Sequence, residues 1–478
     1  MSVPETGLAT PPTTAAAAPG RRRRIPLWWF AVGIVALIAL MSLLEQLTDA
    51  NDLTSSGTIR ATLIATTPIL LAGLGGLWSE RAGVVNIGLE GMLILGTFGA
   101  GWWAYEYGAW AGVLGAILFG VLGGTLHAIA TVIFGVDHIV SGVAINIIAL
   151  GAVQYLAAIT FTGVKGGGPT QSPPLPDLPD LTIAPLSDAL KDVVGKDWFF
   201  VSELCSVLNA LVDNLSVLVI ISALLVVLSW YLLWRTPFGL RLRSCGESPA
   251  AAESLGIAVL RYKFVAVMIS GGLAGLGGCF LAMVASSSYR DGQTGGRGYI
   301  GLAAMIFGNW RPGGLVAGSG LFGYTETLGL RQGGTSVHAL LLAIAAIAVA
   351  FAVVQARRVS QRTLVLAAVG AVAALVLGYF VGDAMGDGFS GRGWVVLAAF
   401  VVAGVLLYLL RRSDHLGPVL LLLIGFAFAV LYHSIDKVPG DFTRMTPYLT
   451  TLLVLAFAAQ RLRMPAADGQ VYRKGSAG

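Results

Sequence analysis

Stretches of apolar residues about as long as a bilayer is thick recur along this chain, and no other feature restricts its fold so severely. IPLWWFAVGIVALIALMSLL, from Ile25 to Leu44, is the first of them. Of 478 residues, 56% are hydrophobic and only 12% charged, with 63 glycines and a mean hydropathy of +0.79. A soluble domain carries roughly 25% charge, so the chain is expected to be an integral membrane protein. The runs have helix length rather than the roughly ten-residue alternation of barrel strands, so the spans are expected to be helices. Abundant glycine suits helices that pack backbone to backbone in lipid. The expected fold class is all-α and polytopic.

The formal charge of +5 does not point to nucleic acid. Basic residues form short clusters beside apolar runs: Arg21 to Arg24, Arg357 with Arg358, Arg411 with Arg412, and Arg461 with Arg463. This is the pattern that orients a chain in membrane lipid. Residues 1–24 are expected to be a disordered basic cytoplasmic tail, because their Ala, Thr and Pro bury too little apolar surface to fold. The junction of RRRR with the first apolar run looks superficially like a secretory signal. The run is longer than a signal core of ~7–15 residues, and EQLTDAND offers no small-x-small cleavage site, so it is expected to be a retained span. Cys205, Cys245 and Cys279 fall in an outer loop, an inner loop and a span, so neither a disulfide nor a metal site is expected.

Apolar length and flanking charge place spans near 27–44, 59–77, 84–104, 109–133, 139–161, 215–234, 263–286, 313–331, 337–356, 363–382, 393–410, 416–433 and 446–460. A short segment at 298–309 covers only about 18 Å as a helix against a ~30 Å hydrocarbon core, so it either crosses or is a half-helix or re-entrant. Counting it, fourteen crossings put both termini in the cytoplasm. The acidic loop 162–214 then lies outside, and the net basic loop 235–262 lies inside.

Enzymatic motifs are missing. There is no GxxxxGK[ST] phosphate loop, no HExxH and no GxSxG, and GVKGGG at 163–168 lacks the spacing of a phosphate cradle. His127 and His138 read more simply as packed or interfacial histidines than as ligands. Two segments stand out. LWSERAGVVNIGLEGMLILG carries Glu80, Arg81, Asn86 and Glu90 within apolar surroundings. Ionisable groups at bilayer depth cost at least ~2.5 kcal/mol each, so they face protein or a water-filled path. Asn86 and Glu90, four residues apart, are expected on one helix face. Two readings of Glu90 stay open: a polar contact between packed helices, or a group lining or gating a polar path. In the inner loop, GESPAAAESLGI reads as a turn and a short helix, with Ser248 as N-cap, Pro249 at the first helical position and Gly256 near its end. A helix so short is marginal alone and needs something to dock against.

SERAGVVNIGLEGMLILG, GESPAAAESLGI, GYIGLAAMIFGNWRPGG and MTPYLTTLLVLAF together resemble the permease subunits of bacterial ABC uptake systems. The likeness is to the nucleoside branch of the family that also holds ribose-type and branched-chain amino-acid permeases. It covers residues 59–331 and 446 to about 474, with the four matches in the family's order. The resemblance implies a permease core over 25–331 with about ten crossings, completed by a final core helix at 446–463 and a cytoplasmic tail at 464–478. It further implies a bacterial cytoplasmic-membrane location, no cofactor in this chain, and ATP used by a partner. The implied partners are a homologous second permease, a cytoplasmic ABC ATPase and an extracytoplasmic substrate-binding lipoprotein. The family's coupling helix maps onto Gly246–Gly256, with Gly246, Glu247, Pro249, Ala251 and Gly256 matching and Ser248 standing where Asn is common. The four apolar runs within 337–433 depart from the family pattern as about four inserted spans. Their even number keeps the last helix on its side of the membrane. A sugar permease of the same machine, and an ATP-independent secondary transporter, are the alternatives; no clustered acid, base or metal ligand favours a membrane enzyme.

Overall fold

The structure, a computed structural model, describes residues 28–48, 50, 53–331, 334–356, scattered positions between 424 and 446, and 462–475. The expected spans at 363–382 and 393–410, and all but scattered positions of those at 416–433 and 446–460, lie outside the described residues, as does the tail 1–24. Helices α1 (Trp28–Leu47) and α2 (Ser56–Arg81) come first, and α2 starts where the Ser55 hydroxyl accepts the Thr58 N–H. Then follow α3 (Leu89–Tyr107), α4 (Ala109–Ala128), which continues through a π-helical turn to Ile133, and α5 (His138–Phe161). Asp137 caps α5 by accepting the Ile139 and Val140 N–H groups.

The acidic loop after α5 is itself folded. It holds α6 (Ala184–Val194), α7 (Val201–Ala210) and a short antiparallel ladder of β1 (Asp180–Leu181) with β2 (Leu215–Ser216), and isolated bridges join Gln171 to Gly168 and to Arg290. Asp213 ties this loop to α2 through Arg60 at 3.2 Å and also meets Lys191 at 3.1 Å. Beyond it run α8 (Val217–Arg235), α9 (Pro237–Glu247), α10 (Pro249–Ser254), α11 (Val259–Phe280, extended by a π turn to Ala285), α12 (Arg297–Phe307), α13 (Pro312–Arg331) and α14 (Gly334–Ala356). Five described helices have the length and hydropathy to cross a membrane: α2, α4 with its π turn, α5, α8, and α11 with its π turn. The expected short segment is α12, whose 11 residues span only about 16 Å.

Glycine decides how these helices meet. α11 runs through the middle of the bundle against α2, α3 and α4, and at their closest points no side chain intervenes. A Cβ on Gly275 of α11 would sit 2.2 Å from the Ala116 carbonyl oxygen of α4, and one on Gly96 of α3 would sit 2.3 Å from the Gly275 oxygen. Backbones this close gain dispersion contacts that larger residues would forbid, which is the driving force left to helices in lipid. α2 and α11 are buried along most of their length, whereas α5 and α8 present most of theirs outward. Replacing Gly275 by Val is expected to force α3 and α4 apart. Overpacking costs about 1–3 kcal/mol or more, to be seen as a lower melting temperature and lower yield of the purified protein.

Candidate functional site

The polar stretch from Leu77 to Gly96 is not one helix. α2 stops at Arg81, Gly83 turns the chain with a φ of +82°, and α3 begins only at Leu89. Asn86 therefore lies in a non-helical break, not on a shared face with Glu90, and the span expected from residue 84 begins later. The reason lies in packing: Gly246 of α9 presses so close that its Cβ would come within 2.3 Å of the Arg81 carbonyl oxygen. A continued helix would occupy that space.

Unwinding exposes backbone groups, and side chains from three other helices take them up. Lys263 Nζ of α11 donates to the Gly83 carbonyl at 3.0 Å. His127 of α4 donates through Nε2 to the Val85 carbonyl at 3.1 Å, its Nδ1 meeting Ser141 Oγ at 2.8 Å. The Val85 N–H donates to His138 Nδ1 at 3.3 Å. Asn146 of α5 donates to the Ile87 carbonyl at 3.1 Å while its Oδ1 accepts the Gly91 N–H at 2.7 Å. Asn86 itself is fully buried and donates to Ser270 Oγ at 2.9 Å. Ser270 stands roughly 16 Å along α11 from that helix's start at 1.5 Å per residue. Non-helical backbone at such depth persists only inside protein or along a wet cavity.

Glu90, 7% exposed, closes the N-terminus of α12. Its two carboxylate oxygens accept the N–H groups of Gly296 at 3.0 Å and Gly298 at 2.7 Å. These are the free donors of a helix start, where a negative charge is most stabilised. Gly298 is required here, since a Cβ would lie 2.6 Å from Glu90 Cα. On the other side of the same turn Arg297 pairs with Glu326 of α13. A cavity of about 410 Å³ opens beside this junction, lined by Glu90, Thr97, Asn146, Asp291 and Tyr299 among others. Asn146 Nδ2 also reaches the Tyr299 hydroxyl at 2.8 Å, and Gln154 holds Asp291 at 2.9 Å.

Glu80 and Arg81 do not reach this cavity. Glu80 accepts the Trp310 indole N–H at 2.6 Å, and Arg81 donates to the Trp310 carbonyl at 2.6 Å and stands 4.0 Å from Glu247. They belong to a second polar layer, which also holds Lys263 and the end of α9. The six residues of the inner loop are divided as well: Gly246 and Glu247 close α9, and only Pro249–Ser254 form α10. Ser248 occupies the cap position without a side-chain cap bond, Pro249 opens α10, Ala251 lies on its exposed side, and Gly256 turns the chain at φ +79°.

Residues 462–475 complete the second layer. Asp468, buried there beside Glu80, was not legible as a site residue; nor were Asn146 and Lys263, although each is a polar residue within or at the start of an apolar run. Burial without a hydrogen-bond partner pushes the Asp468 carboxyl up to about 7, against the opposing influence of Lys263 and Arg81.

The chain belongs to the family described as the branched-chain amino acid transport system permease component, which matches residues 58–350. Members are transport permease subunits, and with its apolar helices the chain is a multi-pass membrane protein. It is 37% identical over 280 residues to the guanosine ABC transporter permease protein NupQ of Bacillus subtilis, covering 57% of this chain and 81% of that protein. It is 36% identical over 283 residues to the nucleoside ABC transporter permease protein NupC of Lactococcus lactis, again covering 57% and 81%. The putative glucose ABC transporter permease protein TsgC13 of Haloferax volcanii is 31% identical over 281 residues, covering 58% and 78%. No solved structure matches the chain.

Asp468 supplies a pH test. Its carboxyl is raised from 3.8 in the docked segment, so the docked state holds the proton more tightly. Docking is strongest below the free carboxyl's range and weakens as pH rises through about 7. Proteolysis of the segment is expected to quicken between pH 6 and pH 8, and Asp468→Asn is expected to flatten that difference.

Proposed function

We propose that this chain is the membrane-spanning permease subunit of an ATP-driven importer for nucleosides or closely related small polar solutes. The observation that carries the reading is the family match over residues 58–350, a range that contains the break, the cavity and α9–α10. The relatives' names support nucleosides in particular. A volume of about 410 Å³ suits a small-molecule site, and its amide, phenol and carboxylate groups suit sugar hydroxyls and ring nitrogens. In this reading ATP is hydrolysed by a cytoplasmic ABC ATPase docked on α9–α10. A second, similar permease completes the membrane unit, and an extracytoplasmic lipoprotein delivers the solute. The topology has about ten core crossings and about four inserted ones within 337–433, in a bacterial cytoplasmic membrane with both termini inside. Glu90 and Asn146 border the solute; Glu80, Arg81 and Asn86 hold the break that shapes the path.

The glucose-named relative favours a sugar as the second reading. A broken helix at membrane depth also fits secondary transporters, but family membership and the cytoplasmic α9–α10 pair argue for the ATP-driven machine.

Uptake of labelled guanosine against labelled glucose, with the partner subunits present, decides the substrate class. Ile147→Trp places bulk over the cavity from the exposed side of α5 and is expected to lower uptake at least about tenfold, a loss of ~1.4 kcal/mol in the transport step, with normal membrane insertion. Glu90→Gln sets an amide N–H₂ against a backbone donor and is expected to impair uptake similarly. Unchanged uptake in both variants would remove this cavity from the path. Ala251→Asp introduces a charge that a docking groove would have to bury at a cost of several kcal/mol, so the inserted protein is expected to copurify poorly with its ATPase.

A further inference from the structure

The segment 462–475 is bonded to three separate parts of the protein: the α12–α13 turn, the end of α9, and α10. The Arg463 N–H donates to Asn309 Oδ1 at 2.7 Å, in the turn between α12 and α13. The Ala466 N–H donates to Glu247 Oε2 at 3.3 Å and the Ala467 N–H to the Gly246 carbonyl at 2.9 Å, both at the end of α9. The Tyr472 hydroxyl donates to Glu253 of α10, which also accepts the Gly475 N–H at 3.3 Å. Pro465, Ala467 and Asp468 are buried in these contacts.

Beneath Ala467, three backbones meet beside the Lys263 ammonium, whose Nζ would lie 2.9 Å from a Cβ on Gly83. A Cβ on Gly83 of the break would lie 3.1 Å from Gly246 Cα and 3.2 Å from the Ala467 carbonyl oxygen. A filler segment would lie against one neighbour. This one bridges α9, α10, the α2–α3 break and the α12–α13 turn, and α10, with six residues, is too short to hold its own place.

We propose that residues 462–475 form an intramolecular clasp that makes α9–α10, the break and the base of α12 move as one body, so that a push on α9–α10 reaches the Glu90 junction. The inference rests on α9–α10 being the ATPase docking element proposed above. Side-chain bonds at Glu253 fasten one end of the clasp, while the bonds to α9 are made by its backbone.

The test uses the full chain assembled with its partner permease, ATPase and binding protein in liposomes. It compares Ala467→Pro, which removes the N–H that bonds the Gly246 carbonyl, combined with Tyr472→Ala, against Ala251→Asp. The combined variant is expected to insert and bind the ATPase as the unaltered protein does and to hydrolyse ATP at a similar rate. Its import per ATP is expected to fall roughly five- to tenfold, within the usual range of coupling between sites. Should the combined variant fail to insert, Tyr472→Phe, which removes only the hydroxyl at the half-buried edge of the clasp, is expected to give a smaller fall of the same kind. Import per ATP at the unaltered level, or above it, would overturn the clasp, as would loss of ATPase binding, which would make the segment a docking piece instead. If Ala251→Asp binds the ATPase normally, the docking reading itself fails. If that variant loses the ATPase while the combined variant imports normally, only the clasp fails.

Discussion

Everything distinctive in this bundle follows from a backbone that stops being helical where water is scarce. An amide group buried without a partner costs several kcal/mol in hydrocarbon, so residues 82–88 can leave the helix only if other elements supply donors and acceptors. The Val85 and Ile87 carbonyls, the Val85 and Gly91 N–H groups and the Gly83 carbonyl are served by His127, His138, Asn146 and Lys263. Those polar residues, scattered over α4, α5 and α11, therefore answer to a single constraint. It is the break that explains why a chain this apolar keeps them.

The break has a counterpart in α12. A helix that starts inside the protein exposes unpaired N–H groups at its first turn, and Glu90 satisfies two of them. The carboxylate and the helix start thus stabilise each other, and neither would be tolerated alone at that place. Because the junction is polar and the backbone on both sides is glycine, it leaves room for a cavity with hydrogen-bonding walls. The same chain segment that carries Glu90 runs back through Asn86 and Gly83 to the layer where α9 and α10 sit. The cavity and α9–α10 are therefore joined by covalent chain as well as by contact.

Much of this was legible in the sequence, and the missing parts have a physical reason. Apolar run length marks α2, α4, α5, α8 and α11, and the shortness of 298–309 foreshadows the eleven-residue α12. Pro249 and Gly256 mark α10 correctly because their preferences are local. Asn86 leaves the helix face its spacing predicts because Gly83 and Gly88 permit a break, and Gly246, more than 150 positions away, packs against the end of α2 where a continued helix would run. Asn146, Lys263 and Asp468 escaped notice for the same reason. Each gains its role from a backbone group or side chain distant in sequence, and periodicity carries no information about such pairings. Glu90 could be read as buried, but its partners at Gly296 and Gly298 could not.

The two kinds of contact differ in how readily they are exchanged, and that difference indicates where the molecule can change shape. Where α3, α4 and α11 meet at Gly96, Gly120, Gly271 and Gly275, separation would open voids along whole helices, and the lost dispersion contacts accumulate. At the break, each side-chain bond to the backbone contributes only about 0.5–1.5 kcal/mol net, and a bond broken in one arrangement can be replaced in another. Two states separated by a few kcal/mol are therefore more easily built from rearranged bonds at 82–88 than from sliding glycine-packed helices. On the proposed docking reading, a force at α9 would reach those bonds through the Gly246–Gly83 contact before it reached the rigid packing of α11. On that reading the stiff triplet of helices would be the frame against which the break, α12 and the cavity move.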